Sequence, residues 1–485
     1  MEESINANFE IGNNKNVSGV LAPTSKEFKC WSSELIPLNP HSNIYGKTHT
    51  GQPVTLLNCI FRKYTQYSVG SSCSLFSHTM ILGNEHVFPE TDLFDSISLT
   101  VENPLKLFQD IDSFGYIHSP KEALIEALNE EKYTPHFNIE NNPRIAYFNG
   151  DSEIFSQCTK LGTITATHAH SMRLRGSVEG AQLKNKVFIT IDFTVPCKLE
   201  VAFKKANLLA LFLRFIASQG LHFKNIQVRK LGDKLHEYNV HHDYRNWGQE
   251  ESKDSYHSDP LINVVNDNFG SILKNWFEKD DRENVRLCFY NTFFSDLYSS
   301  SRLIGAANMF DIFPHKSESL EKQLSSEEKS QIKDLKSQIK LNFKPFPEIK
   351  SSLLQSISFL EKKSLKEKVL GRMYIIKPQL VGSTLDTVDF EIVIKYGVKC
   401  RNYFVHGSID RHLSPELCFQ FQSFFTDLFE YIYIVSELIE CGWNRKDDRV
   451  LTCHHRIRSY EIEIESGSKK LAEILKNNKI FISKN

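Results

Sequence analysis

The residue types best suited to chemistry in this chain are Arg401, Asn402 and His406, which Gly407 follows at once. Apolar residues recur at helical spacing from Asp389 to Val405, which predicts an amphipathic helix. Gly407 is typical of the left-handed turn that ends a helix, so His406 is predicted in the last turn. The negative end of the helix dipole favours imidazolium there, which suits proton transfer near neutral pH.

Arg401 falls on the apolar stripe of this predicted helix, within about 60° of one line at ~100° per residue. A guanidinium stays charged and is costly to bury without a partner, so the position predicts a phosphate, a carboxylate or another subunit beside it. Asn402 and His406 are four residues apart and share a neighbouring face of the helix. From the residues alone, a structural arginine and a helix-capping histidine remain an open alternative.

A second long apolar helix is predicted after the motif, with Ser414 as its N-cap, Pro415 in its first turn and Gly442 at its end. The sequence Arg-Asn-x-x-x-His stands at the end of one predicted helix, and a short loop and a long apolar helix follow it. This arrangement resembles the HEPN ribonuclease motif. Upstream, the stretch 302–315 is similar to the helix that often ends in Ala-Leu-Glu-x-x-His in ApeA-like HEPN proteins. Met309 and Asp311 depart from that pattern.

The first half of the chain carries a further resemblance, in the stretches 44–59 and 80–101. They include Ile44-Tyr-Gly-Lys-Thr-His-Thr-Gly51, Met80-Ile-Leu-Gly83 and His86-Val-Phe88, and they resemble the N-terminal domain of ApeA-type bacterial anti-phage proteins. This resemblance implies that the N-terminal domain is a sensor or regulator. It also implies a phage-derived protein trigger and growth arrest of the infected cell, that is, abortive infection.

The HEPN resemblance implies metal-independent RNA cleavage. His406 would move protons between the 2′-hydroxyl and the leaving 5′-oxygen, Arg401 would stabilise the transition state, and Asn402 would orient the histidine or the phosphate. Neither a metal nor a cofactor is predicted. The resemblance further implies a homodimer through the HEPN domain, with structured RNAs such as tRNA as plausible substrates. Two other hypotheses are a non-catalytic HEPN adaptor and a ligand-binding β domain with a helical oligomerisation module.

The chain is predicted to be an α+β protein with two domains. Residues 1–255 contain short alternating stretches such as Val187–Val195, which predict a β-rich, sandwich-like domain with one helix near 205–219. Residues 256–485 have helical periodicity, which predicts a helical bundle. Within it, the stretch 316–348 is charged and predicts either a charged helix or a mobile insertion.

Composition is that of an ordinary globular protein, with 40% hydrophobic residues, 24% charged residues and a net charge of −1. A net charge near zero argues against constitutive binding of nucleic acid over an extended surface. Ten cysteines without a C-x-x-C pair indicate reduced thiols in the cytoplasm. The N-terminus has no signal-peptide pattern, and no apolar stretch is long enough to cross a bilayer.

The region after Gly442 is locally basic and forms the predicted basic C-terminal tail. It could steer phosphates toward the motif or could be an ordinary solvated surface, and its arginines are Arg445, Arg449, Arg456 and Arg458.

Several histidines could be grouped into a metal site, but their spacing favours surface and core positions; they are His168, His170, His236, His241 and His242.

Overall fold

A computed structural model describes most of the chain, in two compact units, Met1–Phe277 and Glu278–Asn485. The described residues are 4–11, 14–32, 42–101, 106–108, 114–118, 120–130, 144–148, 150, 152–174, 181–218, 221, 223–233, 235–242, 259–295, 297–314, 324–408, 413–445 and 455–482.

The first unit is rich in strands. These are β1 (Ile5–Ile11), β2 (Asn14–Ala22), β3 (Glu27–Ser32), β4 (Ser42–Thr48), β5 (Pro53–Tyr67), β6 (Gly70–Leu82), β7 (Phe94–Val101), β8 (Phe114–His118), β9 (Arg144–Phe148), β10 (Glu153–Thr159), β11 (Gly162–Leu174), β12 (Ala181–Cys197), β13 (Phe223–Lys230) and β14 (Tyr238–His242). Its helices are α1 (Lys121–Glu130), α2 (Leu199–Ala217) and α3 (Phe269–Glu278), whose last residue falls in the second unit.

Six of the strands form a closed sheet, in which β5, β6, β3, β2, β1 and β4 are paired in that order and β4 pairs back to β5. Each of these strands contributes buried apolar residues to one shared core. In that core, the rings of Phe9 and Phe28 lie 4.4 Å apart. Closure leaves this sheet without an unpaired edge along its length.

The C-terminal half of β6 also pairs with β14, which extends the sheet through β13, β7, β12, β11 and β10. The helix α2 packs on β7 and β12. The indole of Trp276 stacks on Phe215 of α2 with 5.4 Å between ring centroids, and Phe269 packs against Phe155 at 4.9 Å. The helix α3 covers α2 in this way, and the first compact unit extends to Phe277.

The second unit consists of helices. These are α4 (Glu283–Phe293), α5 (Ser300–Asn308), α6 (Ser326–Asn342), α7 (Pro347–Leu360), α8 (Leu365–Ile376), α9 (Phe390–His406), α10 (Pro415–Gln420), α11 (Gln422–Glu440) and α12 (Arg456–Ile482). The β-rich first unit and helical second unit confirm the predicted α+β class. Of the predicted charged stretch, residues 316–323 lie outside the described residues, and the rest contains α6.

The helix α11 is the centre of this unit and packs against α5, α8, α9 and α12. It is buried on all sides, including the carboxylates of Glu430 and Glu437. Glu437 pairs with Arg286 and Arg372, and Glu430 with Arg302 through Oε1 at 2.8 Å from Nε. Buried carboxylates need such partners, since ionised groups are otherwise too costly to remove from water. Specific ion pairs therefore fix the neighbours of α11.

Two sequence predictions for this unit differ from the structure. The long helix predicted after Ser414 is divided at Phe421 into α10 and α11. The predicted basic tail contributes Arg456 and Arg458 to the 27-residue helix α12, which packs along α11. A close approach permits this packing, because a Cβ on Gly467 would lie 2.2 Å from the ring of Phe424.

Candidate functional site

The motif helix α9 begins and ends at residues that the sequence marks. The side chain of Asp389 accepts a hydrogen bond from the backbone N–H of Ile392 at the N-terminus. Gly407 adopts φ 67° at the C-terminus, which leaves His406 as the last helical residue and confirms the predicted helix end. The helix lies close against α11 at Gly397, where an added Cβ would be 3.0 Å from Phe429 and 3.1 Å from Phe425.

The guanidinium of Arg401 is held by two side-chain amides. Its Nε and Nη2 donate to Oδ1 of Asn308 at 3.2 and 2.6 Å, and its Nη1 donates to Oδ1 of Asn402 at 2.9 Å. Both acceptors are neutral. No carboxylate among the described residues forms an ion pair with Arg401, which is half-buried. Its positive charge is therefore oriented without being neutralised, as anion binding requires.

Asn308 is a member of this site that sequence reasoning missed. It is the last residue of α5 and is half-buried, whereas Ala307 and Met309 on either side of it are buried. Its sequence signal is a single amide in the apolar end of a helix, and it lies 93 residues from Arg401. Nearby Asp311, which departs from the family pattern, pairs with Lys368 at 2.8 Å instead of contacting the motif.

The imidazole of His406 is exposed, and it makes no hydrogen bond to any described residue. A ring in this position can exchange protons with solvent or with a bound ligand. Asn402 was predicted to orient either the histidine or a phosphate. In the structure its side-chain oxygen accepts from Arg401, so it holds the arginine.

Aromatic and apolar side chains surround the end of α9. The ring of Phe404 lies 5.1 Å from that of Phe419 and 5.2 Å from that of Tyr403. Phe419 is 62% exposed and Val405 is 39% exposed. An apolar surface therefore adjoins the polar motif, which is the composition typical of a surface that binds a partner.

The arginines predicted to steer phosphates have internal partners. Arg445 forms two hydrogen bonds to Glu461, at 2.8 and 2.9 Å, and Arg458 approaches the same carboxylate at 3.4 Å. The guanidinium of Arg456 lies 3.6 Å from the ring centre of Phe293, donates to the hydroxyl of Tyr460 and faces Glu430 at 3.7 Å. Their charge is largely compensated inside the fold. Arg449 lies outside the described residues.

The candidate metal histidines are dispersed. His242 contacts the hydroxyl of Thr79 at 2.6 Å, His236 pairs with Asp233, and His168 contacts Asn185 at 2.9 Å. The side chain of His170 lies outside the described residues. Across the described positions, no three histidine, cysteine, aspartate or glutamate side chains are grouped so that they could hold a metal ion.

None of the described helices combines the length and apolar character needed to span a bilayer.

Comparison with known families agrees with the two-unit order. The family model described as ApeA N-terminal domain 1 matches residues 6–276, and the model described as Apea-like HEPN matches residues 304–447. No curated protein and no solved structure matches the chain significantly. The second match contains α9, α11 and the C-terminal part of α5, and so Asn308 and the whole Arg-Asn-x-x-x-His motif. The chain belongs to the ApeA-type family, in which an ApeA N-terminal domain precedes an Apea-like HEPN domain.

Proposed function

We propose that this protein is an endoribonuclease whose active site is formed by Arg401, Asn402 and His406. The observation that carries the proposal is the pairing of an uncompensated guanidinium, held by two neutral amides, with an exposed imidazole five residues further along α9. A structural arginine would be expected to pair with an acid, as Arg302 does with Glu430. HEPN domains are generally ribonucleases, which supports the same function.

The reaction follows from these two groups. His406 removes the proton from a ribose 2′-hydroxyl, and the 2′-oxygen attacks the adjacent phosphorus. Arg401 stabilises the additional negative charge on the phosphorane-like transition state. The bond from phosphorus to the 5′-oxygen breaks, and that oxygen receives a proton. The products are a 2′,3′-cyclic phosphate and a 5′-hydroxyl. The nucleophile belongs to RNA, so the chemistry calls for no metal ion and selects RNA over DNA.

Cleavage calls for both a base and an acid, whereas one motif provides one imidazole. A two-fold dimer through the HEPN domain would bring two motifs together. HEPN domains commonly dimerise. The exposed apolar side chains of Phe419 and Val405 beside the motif support an interface at this surface.

The ApeA N-terminal domain supports a role in bacterial defence. In the proposed role, the β-rich unit senses a phage-derived protein in the cytoplasm and releases the nuclease. Cleavage of host RNA, with tRNA among the structured candidates, then arrests growth before the phage multiplies. Restraint of the nuclease until infection agrees with a net charge of −1, which gives the chain little general attraction for nucleic acid.

The test compares wild type, His406→Ala and an exposed-histidine control, His49→Ala, in infected bacteria. We expect wild type and His49→Ala to protect the culture and to fragment RNA, and we expect His406→Ala to do neither. Equal protection by all three proteins at equal abundance would refute the nuclease and would favour a non-catalytic HEPN adaptor.

A further inference from the structure

The helices α6 and α7 form a hairpin within the second unit, which we call the arm (326–360). Within the described residues, α6 packs extensively against α7 alone, and α7 packs extensively against α6 alone. Almost every residue of α6 is exposed, and Ile339 is the buried one. A helix that buries so few apolar side chains adds little to the hydrophobic core. Its exposed side chains are therefore not constrained by packing.

One face of α6 carries a row of lysines. Lys329, Lys333, Lys336 and Lys340 are spaced by four, three and four residues. At about 100° per residue, their directions fall within about 60° of one another around the helix axis. We call these four residues the lysine stripe. Asp334 lies about 140° away from Lys329 on the same helical wheel, so the stripe has one sign of charge.

The charge of the stripe is largely uncompensated. Lys336 pairs with Glu361 at 2.6 Å, whereas Lys329, Lys333 and Lys340 are exposed and have no ion-pair partner among the described residues. Arg445 and Arg456 differ from them in this respect, because internal acids face both guanidiniums. A basic row in which three of four lysines have no acidic partner attracts a polyanion, and here an RNA strand is the polyanion that the proposed activity requires.

The length and the position of the lysine stripe also suit binding of an RNA strand. Eleven residues of helix separate its ends, which is about 16 Å at the helical rise and comparable to a few nucleotides of RNA. The arm returns into α8, where Lys368 pairs with Asp311. Asp311 lies three residues beyond Asn308, which holds Arg401. The base of the arm therefore adjoins the structure that positions the proposed catalytic arginine.

We propose that the lysine stripe on α6 binds the phosphate backbone of the RNA substrate, outside the cleavage motif. This inference rests on the proposed function for its ligand. It predicts that binding depends on salt and is insensitive to base sequence, because lysines on an exposed helix contact phosphates and do not read base edges.

The experiment measures RNA binding in the full-length protein carrying His406→Ala, so that the probe is not cut. The test variant adds Lys329→Gln, Lys333→Gln and Lys340→Gln. The matched control adds Lys377→Gln, Lys470→Gln and Lys476→Gln, which remove the same charge from exposed positions elsewhere in the second unit. Fluorescence anisotropy with labelled single-stranded RNA and with tRNA is recorded over rising KCl concentration. Vesicles containing an anionic phospholipid serve as a second probe.

We expect the test variant to bind both RNAs at least about tenfold more weakly at low salt, and the slope of log affinity against log salt to fall by about 2 for three lost contacts. The control should match its parent. Equal affinities and slopes in the two variants would overturn the proposal, as would weakened vesicle binding with unchanged RNA binding.

Cleavage by the protein with an intact motif is measured separately. Loss of RNA binding in the test variant, together with no cleavage by wild type, would support RNA binding by the lysine stripe and would refute the proposed ribonuclease activity. Cleavage by wild type, together with unchanged RNA binding in the test variant, would refute RNA binding by the lysine stripe and would leave the proposed ribonuclease activity standing.

Discussion

Asn308→Ala removes the oxygen that accepts two of the three hydrogen bonds orienting Arg401. The arginine would retain one contact, from Nη1 to Asn402, about which the guanidinium can turn. Hydrogen bonds to charged groups are worth about 1.5–3 kcal/mol, and each ~1.4 kcal/mol changes a rate tenfold. We therefore expect kcat to fall by roughly 10-fold to 100-fold. KM should change little if Arg401 acts mainly on charge that develops in the transition state.

Asn308→Asp separates orientation from electrostatics. The aspartate keeps acceptor oxygens near the guanidinium and introduces a negative charge beside it. Arg401 would then be held in an ion pair and would stabilise a phosphorane less, so kcat should fall although the arginine stays ordered. A purely structural role for Asn308 predicts the opposite, because the ion pair would preserve the fold and with it the activity.

The assay follows cleavage of a fluorophore-quencher RNA by purified protein, with the midpoint of thermal unfolding measured in parallel. Asn291→Ala, on an exposed position of α4, is the matched control and should leave kcat unchanged. Wild-type kcat in Asn308→Ala would refute the positioning role. So would full activity in Asn308→Asp, or equal losses in Asn308→Ala and Asn291→Ala.

Three further predictions concern the interface, the core and the motif helix. Phe419→Glu places a charge on the exposed apolar surface beside the motif, so it should shift the protein from dimer to monomer in sedimentation velocity; an unchanged dimer would contradict an interface there. Burial raises the pKa of Asp427 to about 7 although Tyr298 donates to its carboxylate. The folded-state pKa is above the unfolded value, so wild type loses stability as pH rises from about 4 to about 7. Asp427→Asn cannot ionise, and its stability relative to wild type should increase by roughly 3 kcal/mol between about pH 5 and about pH 8; a difference that does not vary with pH in thermal unfolding would contradict this. Gly397→Leu would force a side chain against two phenylalanine rings at 3.0 and 3.1 Å and should cost about 1–3 kcal/mol, measured as a lower unfolding temperature.

Local signals explain what the sequence predicted well. The end of α9 follows from Gly407, whose conformational freedom permits φ 67°, and the start of α10 follows from Ser414 and Pro415. The charged stretch forms α6 because Ser325 and Glu328 form a capping box at its start. Each feature depends on residues a few positions apart, so it can be read without knowledge of the tertiary fold.

Long-range partners explain what the sequence could not provide. The contact between Asn308 and Arg401 joins two helices, and neither residue type specifies the other. Arg445 resembles a free surface cation in sequence, but packing of α12 brings Glu461 to it. The closed sheet forms because β4 pairs with β5, and β6 pairs with β3, β5 and β14. Alternation of apolar and polar residues along a single strand does not specify these pairings.

The central claim is that Arg401 and His406 cleave RNA through its own 2′-hydroxyl. The most direct measurement incubates purified wild type, Arg401→Ala and His406→Ala with an RNA and with its 2′-O-methyl counterpart in EDTA, and identifies the product ends by mass spectrometry. We predict that wild type alone cuts, that it cuts only the unmodified RNA, and that the new ends are 2′,3′-cyclic phosphate and 5′-hydroxyl. Cleavage of the 2′-O-methyl strand, new 5′-phosphate ends, or equal cutting by either variant would contradict the account.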